Sequence, residues 1–158
     1  MSPELNLDKL DFQIIDEMIK SADITYAELG KKLFVSGGTI HVRMKKLEEL
    51  GIVKGKKLDV DLKMLGFDIT AFIGIFLEKS SLYNEVAKEI QKIPEIVRLN
   101  YTTGGYSMFI EVVCKDITLL RTVLHERLQE IKGIERTETF ISLEENFKRD
   151  AAVANGLD

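Results

Sequence analysis

Thr25-Tyr-Ala-Glu-Leu-Gly-Lys-Lys-Leu-Phe-Val-Ser-Gly-Gly-Thr-Ile-His-Val-Arg-Met-Lys-Lys-Leu-Glu-Glu-Leu50 divides into two short helical segments joined by a tight turn. Thr25 and Glu28 stand three apart ahead of an apolar run. That is the spacing of a capping box, in which the hydroxyl and the carboxylate each satisfy the other residue's amide. A helix therefore begins near Tyr26. Leu29 and Leu33 share one side of it, and Gly30 offers no side chain against a second helix crossing close by. Ser36 has the chemistry of a cap for the next helix. At about 100° per residue, Ile40, Met44 and Leu47 fall on one face of that helix, while Gly38, Val42 and Lys45 lie opposite, flanked by Thr39, His41 and Lys46. One face packs and the other is free to read, as in a helix-turn-helix.

Charge supports a nucleic-acid partner for this stretch. From Lys31 to Lys57 there are eight Lys/Arg against two acids, a local charge of +6 in a chain whose total is −4. Concentrated positive charge suits phosphate, whose neutralisation supplies most sequence-independent affinity. The candidate contacts to double-stranded DNA are Ser36, Gly38, Thr39, His41, Val42, Arg43, Lys45 and Lys46. A solvated basic face on any capped helix pair is the blander reading. The capping box, the turn spacing and the charge asymmetry weigh against it together.

Upstream, Asp8 is positioned to cap a helix from Lys9 to Lys20, with Leu10, Ile14, Ile15, Met18 and Ile19 as its apolar stripe. Three helices around Ile14, Met18, Leu29, Leu33, Ile40, Met44 and Leu47 make a small bundle, winged or unwinged, over residues 1–53. Residues 54–68 alternate weakly and predict an extended linker ribbon. Residues 1–57 carry +1 and the remainder −5, so DNA is expected on the first part alone.

The second half changes period. Thr70-Ala-Phe-Ile-Gly-Ile-Phe-Leu77 reads as a strand that is apolar on both sides, with Ala71, Ile73, Ile75 and Leu77 on one and Phe72, Gly74 and Phe76 on the other. Residues 83–93 predict a helix closed by Pro94, residues 96–103 and 106–114 two strands around a Gly104-Gly105 hairpin turn, residues 119–131 a second helix ended by Gly133, and residues 137–143 a fourth strand. The order βαββαβ predicts a ferredoxin-like sheet with both helices on one face, over residues 69–143. The fold class is α+β. Because neither side of the first strand suits water, the uncovered face is expected to be a subunit interface, with Ile73 and Ile75 as its first test and Phe72 and Phe76 as the alternative. Residues 144–158 lose periodicity and read as a C-terminal tail.

Composition fits an ordinary globular chain, with 158 residues, 45% hydrophobic and 30% charged. The longest apolar run falls far short of the roughly 20 residues that span a bilayer, and the acidic start lacks a signal-peptide layout, so a cytoplasmic protein without a membrane partner is expected. Cys114 has no partner cysteine and follows Val112-Val113 in a strand, as a buried thiol does. His41 and His125 have no ligands at metal spacing around them, and no phosphate loop, nucleophile elbow or isolated carboxylate pair appears. No enzyme, metal or cofactor is expected.

Gly38-Thr-Ile-His-Val-Arg43, Leu65-Gly-Phe-Asp68, Phe72-Ile-Gly-Ile-Phe76, Tyr101-Thr-Thr-Gly-Gly-Tyr-Ser107 and Thr137-Glu-Thr139, set in a helix-turn-helix followed by βαββαβ, resemble the Lrp/AsnC family, toward its AsnC branch. The resemblance covers residues 7–143. It implies a transcription regulator whose second domain, called RAM, dimerises, assembles dimers into an octamer-like ring and binds an amino acid between dimers. The effector residues it implies are Tyr101, Thr102, Thr103, Gly104, Gly105, Tyr106 and Ser107, with asparagine as effector. On residue chemistry alone the Gly-Gly pair is a simple turn. The chain departs from its relatives at Gly37, where they often carry Pro, and at Phe34, where they often carry Gly. An architectural oligomer that packages DNA without a small-molecule effector is the alternative.

Overall fold

The computed structural model describes residues 6–153. These fall into two compact units, residues 6–59 with 147–153, and residues 60–146. The outer ends of the expected first domain and of the expected tail, residues 1–5 and 154–158, lie outside the described residues.

The first unit contains α1 (Lys9–Lys20), α2 (Tyr26–Lys32) and α3 (Gly37–Glu49). Each begins on a side chain that satisfies an otherwise orphaned amide. Asp8 accepts from the Asp11 N–H at 3.0 Å and Asp11 from the Asp8 N–H at 3.1 Å. Thr25 accepts from the Glu28 N–H at 3.2 Å and Glu28 from the Thr25 N–H at 2.9 Å, while Ser36 accepts from the Thr39 N–H at 3.0 Å. Ile14, Leu29, Ile40, Met44 and Leu47 form the buried centre, with Met18 and Leu33 packed around it. Among the described residues of this unit there is no strand, so the bundle carries no hydrogen-bonded wing.

The turn between α2 and α3 is left-handed at Phe34, φ +58°, and its ring is 96% exposed. A non-glycine residue in that region costs on the order of 1 kcal/mol, which the surrounding caps and packing must offset. Gly30 is the tighter constraint, since a Cβ there would lie 2.7 Å from the Val35 carbonyl oxygen and 3.0 Å from the Gly37 nitrogen. All its close neighbours are backbone and none can swing aside. Gly30→Ala is therefore expected to destabilise this unit by about 1–3 kcal/mol, read as a lower thermal midpoint, and an unchanged midpoint would mean that the two helices separate easily.

The second unit is a four-stranded antiparallel sheet in the order β2-β3-β1-β4. Its strands are β1 (Ile69–Leu77), β2 (Ile96–Tyr101), β3 (Met108–Cys114) and β4 (Ile134–Ile141). A single 3₁₀ turn, Ser80–Leu82, leads into α4 (Tyr83–Ile90), and α5 (Ile117–Thr122) continues as a π-helical turn, Val123–Leu128. This is the expected ferredoxin-like arrangement. Its core joins Ala71, Ile73, Ile75 and Leu77 to Met108, Ile110, Val112 and Cys114, and to Val86, Ile90, Leu120, Val123 and Leu128 from the helices. Burial pushes the Cys114 thiol pKa up, which keeps it protonated.

Several boundaries differ from the sequence reading. The expected ribbon over residues 54–68 has no ladder partner, and Asp61 instead closes a turn by accepting from the Lys63 and Met64 N–H groups. Helix α4 ends at Ile90, β4 starts at Ile134 and ends at Ile141, and the strands around Gly104-Gly105 stop at Tyr101 and resume at Met108. The connection is therefore a six-residue loop and not a two-residue hairpin. The larger correction concerns the sheet faces: Ile73 and Ile75 lie under the unit's own helices, fully buried, and the open face carries Phe72, Phe76, Phe109 and Phe140.

Candidate functional site

Helix α3 presents its candidate contacts unequally. Gly38, His41, Val42 and Lys45 are exposed, with Val42 67% exposed and the Lys45 ammonium 3.9 Å from Glu49. Thr39 is half-buried and shares a 2.9 Å hydrogen bond with the Ser36 hydroxyl, so both serve the cap. His41 stands with its ring centroid 5.8 Å from that of Tyr26.

The Arg43 and Lys46 side chains, each half-buried, reach back toward α1. The Arg43 guanidinium donates to Asp8 at 2.6 Å and to Asp11 at 3.0 Å. The Lys46 ammonium donates to the Asn6 carbonyl at 2.7 Å and lies 3.5 Å from Asp11. Lys32 is likewise paired with Glu17. Three of the eight cations counted between Lys31 and Lys57 are thus answered by carboxylates of the first helix and its cap. Asp8 is legible in the sequence only as a cap, and Asp11 and Glu17 not as counter-ions, although Asp11 occupies a position of the apolar stripe, three residues before Ile14 and four before Ile15.

The loop of residues 102–107 is fixed at its ends and bare at its tip. The Thr102 hydroxyl donates to the Tyr106 carbonyl at 2.8 Å, and the Thr102 N–H to the Ser107 carbonyl at 3.2 Å. Ser107 is tied to β1, its N–H donating to the Ile75 carbonyl at 2.9 Å and its hydroxyl accepting from the Leu77 N–H at 3.3 Å. Thr103, Gly104 and Gly105 are exposed, and nothing lies within 4 Å of where a Cβ would stand on either glycine. Tyr101 leaves this group: its ring sits on the helix side of the sheet against Tyr83, with centroids 4.4 Å apart.

Tyr106 crosses to the open sheet face. Its ring covers Gly74 so closely that a Cβ there would come within 2.3 Å of it, and it contacts the rings of Phe76, Phe109 and Phe140. Its hydroxyl donates to Glu138 at 2.7 Å, and Arg136 donates to the same carboxylate at 2.6 Å while covering Phe76 at 3.5 Å. The Tyr106 bond, then that from Arg136, hold the Glu138 carboxyl below its ordinary pKa. The tip loop and the aromatic face are therefore one connected structure. Gly74 and Glu138 entered the sequence analysis only as motif positions and Arg136 not at all, because Tyr106, the ring that joins the first two, stands 32 residues from each.

Among the described residues no cluster of His, Cys, Asp or Glu is placed to hold a metal, and no helix is long and apolar enough to cross a membrane.

Comparison with known proteins places both units. A winged helix-turn-helix DNA-binding family matches residues 7–54, and the Lrp/AsnC ligand binding domain matches residues 70–152. The chain is 42% identical over 145 residues to Regulatory protein AsnC of Haemophilus influenzae, covering 92% of this chain and 97% of that protein. The solved structure of Escherichia coli AsnC superposes with a TM-score of 0.87 at 39% identity, covering 92% of this chain and 98% of that one. A transcriptional regulator of Neisseria meningitidis in complex with L-Met shares the fold, with a TM-score of 0.85 at 21% identity over 90% of this chain and 94% of that one.

Proposed function

Because the chain belongs to the Lrp/AsnC family, a family of transcription regulators and not of enzymes, we propose that it binds double-stranded DNA through α3 and adjusts that binding to a free amino acid, asparagine, held at residues 102–107. It is an AsnC-like regulator with a DNA-binding and a ligand-binding domain. Exposed Gly38, His41, Val42 and Lys45 are the residues we assign to DNA. Paired readers in a dimer call for a two-fold site with half-sites about 10 base pairs, or a multiple, apart. Dimers join into a higher ring, and the protein works in the cytoplasm, where the DNA is.

The loop is the observation that carries the effector reading. Its ends are anchored by Thr102, Tyr106 and Ser107, while Thr103, Gly104 and Gly105 leave bare backbone that a zwitterion's ammonium or carboxylate can approach. Asparagine is favoured by the likeness to AsnC proteins, and an amino acid in general by the L-Met complex of the Neisseria relative.

The test is the thermal midpoint of the full-length protein with each of the twenty amino acids. A ligand that binds the folded state alone stabilises it by about 2.7 kcal/mol at one hundred times its Kd. Asparagine is expected to raise the midpoint. Gly104→Val is expected to abolish that rise while leaving the dimer intact, because it adds a β-branched side chain at φ +104° on the bare tip. A response to a different amino acid replaces asparagine and keeps the loop. No response to any favours the DNA-packaging reading.

A further inference from the structure

Asp11 is the one charged residue among the buried positions of the described chain, at 0% exposure. It is not an orphan, for it receives the Asp8 N–H, the Arg43 guanidinium at 3.0 Å and the Lys46 ammonium at 3.5 Å, and Asp8 takes the same guanidinium at 2.6 Å. A buried ion pair is a poor source of stability, because removing its charges from water offsets most of the attraction. Its effect must be sought in what it does to the two cations. Arg43 and Lys46 belong to the helix that reads DNA, and on a free face each would neutralise a phosphate.

We propose that Asp8 and Asp11 are specificity-determining residues for DNA binding, holding Arg43 and Lys46 against the first helix and so away from phosphate. The inference rests on α3 being the reading helix. Every phosphate contact strengthens binding to all sequences alike, whereas discrimination is the ratio of specific to random affinity. Withholding two cations lowers the common term and leaves Gly38, His41, Val42 and Lys45 to meet base edges. The same clamp sets the rotation of α3, since Arg43 and Lys46, three residues apart, both close on one carboxylate.

The experiment measures affinity of the full-length protein for a random-sequence duplex as salt is varied. Asp8→Asn with Asp11→Asn keeps the cap acceptors and removes the charges. The slope of log affinity against log salt is expected to steepen by about 0.9 for each cation released, so that about 3.5-fold more affinity per cation is lost between 50 and 200 mM salt. A folded double variant with the wild-type slope overturns the proposal. Lys46→Gln tests the same point without touching the acids, and decides it should the double variant fail to fold. A withheld Lys46 leaves the slope unchanged on removal, and flattening by about 0.9 would overturn the proposal. Val42→Asp separates this from failure of the reading itself, since a variant that binds as well as wild type would mean that another surface meets DNA.

Discussion

Ile73→Lys is expected to unfold the sheet unit, and Phe72→Lys, one residue earlier on the same strand, to leave it folded but monomeric. Ile73 is fully buried in β1, a central strand flanked by β3 and β4, with Ile110 and Thr139 as its cross-strand partners. No carboxylate belongs to the core around it. An unpaired ammonium there costs several kcal/mol, a large part of the roughly 5–15 kcal/mol by which a domain is stable. Phe72 points to the open face, stacked near Phe109 at 6.3 Å between centroids and paired with Phe140 across the ladder. A lysine there reaches water in a single subunit and meets an apolar surface only when a second sheet covers it. Sedimentation should find a monomer that still melts cooperatively. A Phe72→Lys protein with the wild-type assembly would show that subunits join elsewhere.

Val42→Asp has the second largest expected effect, and it falls on DNA binding alone. The side chain is mostly exposed on the outer side of α3, while Ile40, Met44 and Leu47 hold the helix from the inner side. Stability should move by no more than about 0.5 kcal/mol, as for other surface changes. Facing DNA, the carboxylate would replace a methyl contact to thymine with repulsion from phosphate. Affinity for a duplex selected by the wild-type protein should drop by at least about 100-fold, or 2.7 kcal/mol. An unfolded variant would mean that the rotation of α3 differs from that described.

The parts of this fold that were legible in the sequence are those governed by neighbours a few residues apart. Asp8, Thr25 and Ser36 announce their helices through partners three positions on, and Ile40, Met44 and Leu47 declare an inner face by period. The βαββαβ order emerges the same way. Choosing the buried side of β1 did not, because Ala71, Ile73 and Ile75 are as apolar as Phe72 and Phe76 and alternation carries no information when both sides are hydrophobic. The sheet decides it through residues on other elements, Val86, Ile90, Leu120 and Val123. Distance along the chain hid the rest: Arg43 meets Asp11 across 32 residues, as Tyr106 meets Glu138. The counter-ion of a lysine or arginine is not legible in sequence when another helix supplies it. The turn at Phe34 shows the converse, since a left-handed residue without glycine is held there by the packing around it.

The loop at residues 102–107 was found by resemblance, and the structure adds a mechanical setting for it. Ser107, assigned as an effector donor, has its hydroxyl engaged by the Leu77 N–H, so Ser107→Ala loosens the joint to β1 whatever it does to a ligand. Tyr106 carries the loop onto the aromatic face through Gly74 and Glu138. Were an amino acid to bind at the tip, as proposed, and sheets to pair through the aromatic face, both would act on one set of contacts, which would give an effector a physical route to assembly.

Regulation by an amino acid requires that the ligand and DNA change each other's affinity by the same factor. The direct measurement is the Kd of the full-length protein for a duplex selected from a random library, without amino acid and with saturating asparagine. An amino-acid-regulated protein gives two different Kd values for the wild type and one for Gly104→Val. Equal Kd values for the wild type, with asparagine and then with every other amino acid, would contradict such regulation.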